Sequence, residues 1–506
     1  MRPATIAAAL VVTGACTRDR VQAAAPPMAA ASCGSAAFMT FEHGELAAVD
    51  RVDRTSGRVH TRAIANRAQI VDATIDMRAD ETAVRSSVVM STAGDPGAPV
   101  TAVRDLGVGA IYWSPRLPSS IEQAVLRARV LGKPASTIPG GSPFSDTRSD
   151  ITVERVDATD WVVGYQDKRY LVLTDDRGCM ISATMPDYGV TIERRASVAE
   201  DDYRLWPPYA APPDAAYTAR DVAIHAPQGH VLAGTLTMPP HAGASPAAVL
   251  ISGLSPHERN GGDAPWMPFR DLADGLTRAG IAVLRADDRG VGKSTGDQAT
   301  FTTAAKVDDV RAEVAWLRAQ PGIDPKRIML VGYSEGGLVG PMVAADDPAI
   351  AAVVTLAGPG VPSNEVARYQ IEQPLLRDPK LSDADRTGEL EKQLAAALQD
   401  TSAHERSYLA ADDPAVPDRK VHCPALIIQG GSDATMPVRS AERIAAAMRG
   451  GGNRDVTVRI FPGVSHALLP DPRGLATGWA ALPAFLTTPE LVDAVARWSV
   501  VKLVPR

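Results

Sequence analysis

The hydrophobic rhythm of the chain changes near residue 218. Beyond it, short, mainly apolar runs at 247–251, 281–284, 328–331, 351–356 and 425–429, and the alternating run 456–460, are interleaved with stretches of helical spacing at 269–279, 303–319, 338–345 and 437–448. Apolar runs bounded by polar residues read as strands buried on both faces, and the intervening segments as helices laid over them. Two alternating runs, 222–225 and 232–238, meet across Gln228-Gly229-His230 and predict an antiparallel hairpin at the entrance. The pattern as a whole predicts an α/β domain with a mostly parallel sheet of about eight strands and helices on both faces.

Ahead of residue 218 the runs are short and alternating or β-branched, as at 151–156, 161–165, 170–174 and 190–193. Turn signals such as Asp175-Asp176-Arg177-Gly178 and Pro186-Asp187-Tyr188-Gly189 separate them, which predicts an antiparallel, β-rich domain from about 33 to 200. One helix interrupts it at 120–131, and 136–149, rich in Gly, Pro, Ser and Asp, reads as a loop. This part carries no catalytic constellation and reads as a packing or substrate-shaping domain. Trp206-Pro207-Pro208-Tyr209-Ala210-Ala211-Pro212-Pro213 reads as a stiff, extended linker inside 201–217, so the α/β domain occupies 218–506.

Composition narrows the function. With 506 residues and 45% hydrophobic content the chain can fill two or three cores. A net charge of −7, no long basic run and 5% aromatic residues argue against nucleic acid as a partner. The four cysteines lack paired C-x-x-C spacing, and His257-Glu258 and His404-Glu405 are followed by Gly261 and Tyr408 where a second metal-binding histidine would stand. The expectation is no catalytic metal and no cofactor. Gly292-Lys293-Ser294 imitates the end of a phosphate loop, but Asp287 stands where its first glycine is required. Cys33 and Cys179 are candidates for pairing in an oxidising compartment, which the sequence leaves open.

Met1-Arg2 followed by the small apolar run 4–15 resembles a secretory signal too short to span a bilayer. Thr13-Gly14-Ala15-Cys16 resembles a bacterial lipobox, with Thr13 where Leu is preferred; it implies lipidation of Cys16, with 23–32 as a flexible tether. Ordinary cleavage within the Ala-rich stretch 21–31 is the alternative. Either way the expected location is extracytoplasmic, in the bacterial periplasm or as an envelope lipoprotein, with no transmembrane helix in the mature chain.

The chemistry centres on Gly332-Tyr333-Ser334-Glu335-Gly336, placed between an apolar strand and a helix. A serine on such a turn presents its hydroxyl above the sheet, and the helix start offers unpaired N–H groups to a developing oxyanion. Gly292-Lys293-Ser294-Thr295-Gly296 matches the same spacing without that context, so Ser294 reads as a loop residue. Asp433 follows the run 425–429 and His466 the run 456–460, which gives the order nucleophile, acid, base at successive strand ends. The serine needs an imidazole to take its proton, and the imidazole needs a carboxylate to fix its tautomer. The second oxyanion donor is expected in Ser252-Gly253-Leu254-Ser255-Pro256, namely the N–H of Leu254, with that of Glu335 as its partner. The Glu335 side chain itself reads as solvated. About 65 residues between Gly358 and Pro424 exceed ordinary connection lengths. Their helical spacing at 364–376 and 383–409 predicts a cap, about 360–422, over the active-site end of the sheet.

Several segments together resemble the EstD-type bacterial carboxylesterases of the α/β-hydrolase superfamily: Gly234-Thr-Leu-Thr-Met-Pro239, Ile251-Ser-Gly253, Gly280-Ile-Ala-Val-Leu-Arg285, Asp288-Arg-Gly-Val-Gly-Lys-Ser-Thr-Gly296, Gly332-Tyr-Ser-Glu-Gly-Gly337 and Leu356-Ala-Gly-Pro-Gly360. The resemblance covers about residues 220–500. It implies hydrolysis of small-molecule carboxylic esters through an acyl-serine intermediate, with Ser334 as nucleophile, His466 as acid-base and Asp433 as its orienter. Two departures bear on substrate range: Tyr333 where the group often has His, and a less glycine-rich oxyanion loop. A peptidase or acyltransferase would use the same three residues, and an envelope binding protein with an inactive hydrolase domain is the reading from outside enzymes.

Overall fold

The computed structural model describes residues 33–94, 99–146, 148–199, 204–240, 243–262, 264–397, 402–409, 413–482 and 485–504. The segment 1–32, with Cys16, lies outside them. Among the described residues no helix is long and apolar enough to cross a membrane.

The second part of the chain is the α/β sheet that the apolar runs predict. Its strands are β1 (Thr218–His225), β2 (Val231–Met238), β3 (Ser245–Ile251), β4 (Ala282–Ala286), β5 (Ile323–Tyr333), β6 (Ala352–Leu356), β7 (Ala425–Gly430) and β8 (Val456–Phe461). They lie in the order β1-β2-β4-β3-β5-β6-β7-β8. Only the pairings of β2 are antiparallel; from β4 onward every neighbour is parallel. Every residue of β3, β6 and β7 is buried, as strands covered on both faces require.

Helices α1 (Pro268–Arg278), α2 (Thr303–Arg318) and α3 (Gly336–Asp346) follow β3, β4 and β5. The cap consists of α4 (Ser363–Leu376), α5 (Asp383–Ala397) and α6 (Ala403–Leu409), inserted between β6 and β7 and followed there by one helical turn, Ala415–Asp418; α7 (Arg439–Gly450) follows β7 and α8 (Pro489–Leu503) follows β8. One face of the sheet packs on Val310 of α2, Val339 of α3 and Ile444 of α7. The other packs on Leu272 of α1 and Val495 of α8. The chain reverses its direction across the sheet at β3, and the carboxyl ends of β3 and β5 there form the crevice where such sheets take ligands.

The first part of the chain forms a thirteen-stranded sheet, antiparallel except for one short parallel pair. Its middle strand is the last in the chain, Val190–Arg195, and Ala36–Glu42 lies between that strand and Glu45–Thr55. Helix Pro118–Leu131 packs into its core through Ile121, Ala124 and Val125. Cys33 and Cys179 are joined in a disulfide across 146 residues, which ties the start of the described chain to this sheet.

Two expectations are corrected. The stretch 136–149 is not wholly a loop, because Ala135–Gly141 is a strand paired with Ser149–Arg155. Its Pro139 lies before the two residues that pair on the other side, so no ladder bond is lost there. Gly140 serves packing, since a Cβ would come within 2.8 Å of the Trp113 side chain. The segment after Trp206 is not an extended spacer either. Trp206 is buried beneath the Arg270 guanidinium, 4.0 Å from its ring centroid, and Tyr209 lies under Arg259 at 4.5 Å. Arg270 also bonds Asn66 of the first sheet, so aromatic and guanidinium groups fold the prolines down across both parts.

The two parts share a core. Ala467, Leu469, Leu482 and Phe485, all from the carboxy-terminal region, belong to the hydrophobic cluster of the thirteen-stranded sheet. Trp266 donates to the carbonyl of Ala467 at 3.0 Å, beside the same junction.

Candidate active site

The sharpest turn lies where β5 meets α3. Ser334 has φ of +52°, a left-handed conformation that costs a non-glycine residue on the order of 1–3 kcal/mol. Ser334 N donates to Leu356 O at 2.9 Å and Gly337 N to Ser334 O at 2.8 Å, which hold the turn. The neighbouring glycines are required for closeness. A Cβ on Gly332 would stand 1.9 Å from Gly336 O, and one on Gly336 would stand 2.3 Å from Ile251 O. The result is a half-buried Ser334 between buried Tyr333 and Glu335.

Asp433 and His466 converge on it from β7 and β8. His466 Nε2 lies 3.1 Å from Ser334 Oγ and Nδ1 lies 2.9 Å from Asp433 Oδ2. Asp433 is almost fully buried and richly supplied with donors: Thr435 N at 2.8 Å and Met436 N at 2.6 Å reach Oδ1, and Gln429 Nε2 at 2.8 Å reaches Oδ2. An oxygen held in this way accepts from Nδ1–H, which leaves Nε2 as the acceptor facing the serine. Tyr333 and His466 lie 5.3 Å apart between ring centroids, and Trp266 and Phe269 continue the aromatic wall behind them.

The loop after β3 reaches the same point. A Cβ on Gly253 would lie 3.2 Å from Ser334 Cβ, so the backbone of this loop touches the serine. Among the described residues no hydrogen bond takes up the N–H of Leu254 or of Glu335. Asp288 secures the loop at its flanks, its Oδ2 accepting from Ser252 Oγ at 2.6 Å and from His257 N at 2.9 Å. The motif around Asp288 therefore braces the loop, and Ser294 is a brace within it, donating to Asp287 O and accepting from Ala233 N.

The side chain of Glu335 is not solvated. It is 1% exposed and accepts from Thr303 Oγ1 at 2.6 Å, with His404 Nε2 at 2.9 Å and Lys306 Nζ at 3.4 Å. Burial opposes its ionisation, but the Lys306 charge and the His404 and Thr303 bonds outweigh burial and hold the carboxyl below its ordinary range. His404 belongs to α6, so the cap is anchored directly behind the serine. Tyr369 of α4 makes a second anchor by donating to Asp433 O at 2.9 Å. The sequence reading missed Lys306, His404 and Tyr369. Lys306 had a signal: it shares with Val310 and Leu317 the buried face of α2, where a lysine requires a partner.

A family model described as serine aminopeptidase, S33, matches residues 266–473, a span that includes Ser334, Asp433 and His466. Esterase EstD of Thermotoga maritima is 26% identical over 327 residues, covering 62% of this chain and 76% of that protein, a longer stretch than 220–500. An uncharacterized protein of Mycobacterium tuberculosis is 30% identical over 248 residues, covering 49% of this chain and 72% of that protein. Among solved structures, an esterase of Pyrococcus furiosus aligns with a TM-score of 0.40 at 17% identity, over 57% of this chain and 92% of that one.

Proposed function

The chain belongs to the α/β-hydrolase superfamily as an EstD-type, carboxylesterase-type hydrolase, and from that premise we propose that it is an exported serine esterase for small or medium acyl chains. The observation that carries the reading is His466 bridging Ser334 and Asp433 at 3.1 and 2.9 Å. His466 Nε2 takes the Ser334 proton as Oγ attacks the ester carbonyl. The oxyanion of the tetrahedral adduct is received by the N–H groups of Leu254 and Glu335. Collapse of the adduct expels the alcohol, which takes its proton from His466 and leaves an acyl-serine. Water, deprotonated by His466, then attacks the acyl carbonyl, and the acid leaves as Ser334 recovers its proton.

The chain-length reading is supported by the cap. Leu390 is the one fully buried residue of α5 among those described, so this helix adds little apolar surface. Export is supported by the Cys33–Cys179 disulfide, because such bonds persist in oxidising compartments. Anchoring through a lipid on Cys16 is tested by palmitate labelling against Cys16→Ala.

The match to the S33 family model favours a second reading, a peptidase with the same three residues. Hydrolysis of p-nitrophenyl acyl esters against aminoacyl anilides, by wild type and Ser334→Ala, separates the two. Ester turnover that falls by several powers of ten in the variant supports the esterase. Anilide turnover alone supports the peptidase. Absence of both, together with no fluorophosphonate labelling of wild type, leaves a binding protein.

A further inference from the structure

Lys306 is 2% exposed, on the face of α2 that points at the sheet, and its ammonium has three oxygen neighbours. Nζ donates to the carbonyl of Gly253, lies 3.4 Å from Glu335 Oε2 and lies 3.8 Å from Asp288 Oδ2. The two carboxylates account for the charge. They do not account for the carbonyl, and a fully buried lysine spends one of its three protons there.

That carbonyl belongs to the same peptide unit as the N–H of Leu254. A trans peptide is planar, with its C=O and N–H pointing in opposite directions, so a group that fixes one fixes the other. The unit lies in the loop that touches Ser334, where a Cβ on Gly253 would come within 3.2 Å of Ser334 Cβ. Gly253 has no side chain of its own to restrain the plane, and the flanking bonds from Asp288 hold Ser252 and His257 but not this peptide. We infer that Lys306 is a positioning residue of the oxyanion hole: its ammonium anchors the Gly253 carbonyl, aims the Leu254 N–H at the acyl oxygen and strengthens that N–H as a donor. A cation on the carbonyl withdraws electron density from the amide, which makes the N–H more acidic as charge develops on the substrate. His404 of the cap and Thr303 hold Glu335, which in turn holds Lys306, so the cap reaches the oxyanion hole through this chain of bonds.

This inference rests on the serine-hydrolase reading, and the test keeps the two apart. Steady-state kinetics on p-nitrophenyl acetate and the inhibition constant of an aliphatic trifluoromethyl ketone, which forms an oxyanion on the serine, are measured for wild type, Lys306→Met, Lys306→Gln and the double variant Lys306→Met with Glu335→Gln. Full loss of one oxyanion donor costs roughly 100- to 1000-fold. Misaiming one should lower kcat by about 10- to 100-fold, with KM within about threefold and ketone affinity falling in parallel. Lys306→Gln, which keeps a donor, should recover part of the loss. The double variant removes the nearer of the two carboxylates that lost their cation but not the free carbonyl, so it should stay as slow as Lys306→Met while regaining part of the thermal stability. Wild-type kcat in Lys306→Met, or recovery of kcat in the double variant, would show that the lysine only balances charge and would overturn the inference. An inactive, unlabelled wild type would overturn the hydrolase reading and this inference with it.

Discussion

The phenol of Tyr369 donates to the main-chain carbonyl of Asp433 at 2.9 Å. A residue of the inserted cap thus holds the backbone of the acid that orients His466. Tyr369→Phe removes the bond and keeps the ring, at a cost of about 1 kcal/mol to docking of α4. The expected effect falls on the pocket under the cap. The ratio of kcat/KM for p-nitrophenyl octanoate to that for the acetate should shift by threefold or more, while the rate of fluorophosphonate labelling at Ser334 stays near wild type. An unchanged ratio across the acyl series would mean that the bond does not shape the pocket.

Asp433→Asn tests the tautomer argument. Oδ1 of residue 433 accepts two backbone N–H groups, so an asparagine must place its oxygen there and its NH2 toward His466 and Gln429. Gln429 can flip, because its Oε1 has no partner among the described residues. His466 must then turn its unprotonated nitrogen to the asparagine and present N–H to the serine, the wrong form for a base. The expected outcome is a loss of roughly ten-thousand-fold in kcat with little change in melting temperature. A loss below tenfold would remove Asp433 from its role.

The meeting of Ser334, Asp433 and His466 was legible because each stands just past a strand-like run, and the order of the sheet brings those strand ends together. The approach of the loop that carries Leu254 to Ser334 followed from the same logic. The contacts of Lys306, His404 and Tyr369 were not legible, beyond the sign that a lysine on an apolar helix face needs a partner, since their partners Gly253, Glu335 and Asp433 lie 53, 69 and 64 positions away and the contacts depend on how a helix or cap is rotated, which local pattern does not encode. Glu335 was read as solvated for that reason: its partners come from α2 and α6, not from its own turn. In the first sheet, glycine and proline misled. Gly140 looked like a loop residue but makes room for Trp113 inside a strand. The prolines after Trp206 looked like a spacer, but buried Arg259 and Arg270 draw the intervening aromatic rings into the fold.

The shared core predicts that the thirteen-stranded sheet supports the loop bearing His466. Leu469 is 1% exposed, three residues beyond that histidine, and packs in the cluster of the first sheet. Leu469→Ala should cost about 2–5 kcal/mol. It should also lower kcat on p-nitrophenyl acetate at temperatures where the protein is still folded by circular dichroism, because the imidazole loses its backing. Reduced stability with unchanged kcat would mean that the sheet is only appended to the hydrolase part.

Glu42 makes the same junction sensitive to pH. It is 3% exposed, and its Oε2 accepts from Leu486 N at 3.0 Å. Burial pushes its carboxyl up to about 8, the Leu486 bond opposes this, and the charge of nearby Asp271 adds to it. The unfolded chain releases this proton near 4.5, whereas the folded chain keeps it to about 8. Between these values the folded state binds more protons than the unfolded state, so stability falls as pH rises. The contribution is complete below about 4.5, declines through the interval and is exhausted above about 8. Glu42→Gln keeps an acceptor for Leu486 N and cannot ionise. Its melting temperature relative to wild type should therefore climb steadily from pH 5 to 8 and level off by pH 9. A difference that stays constant across this range would mean that Glu42 ionises at its ordinary value and that the junction is open to water.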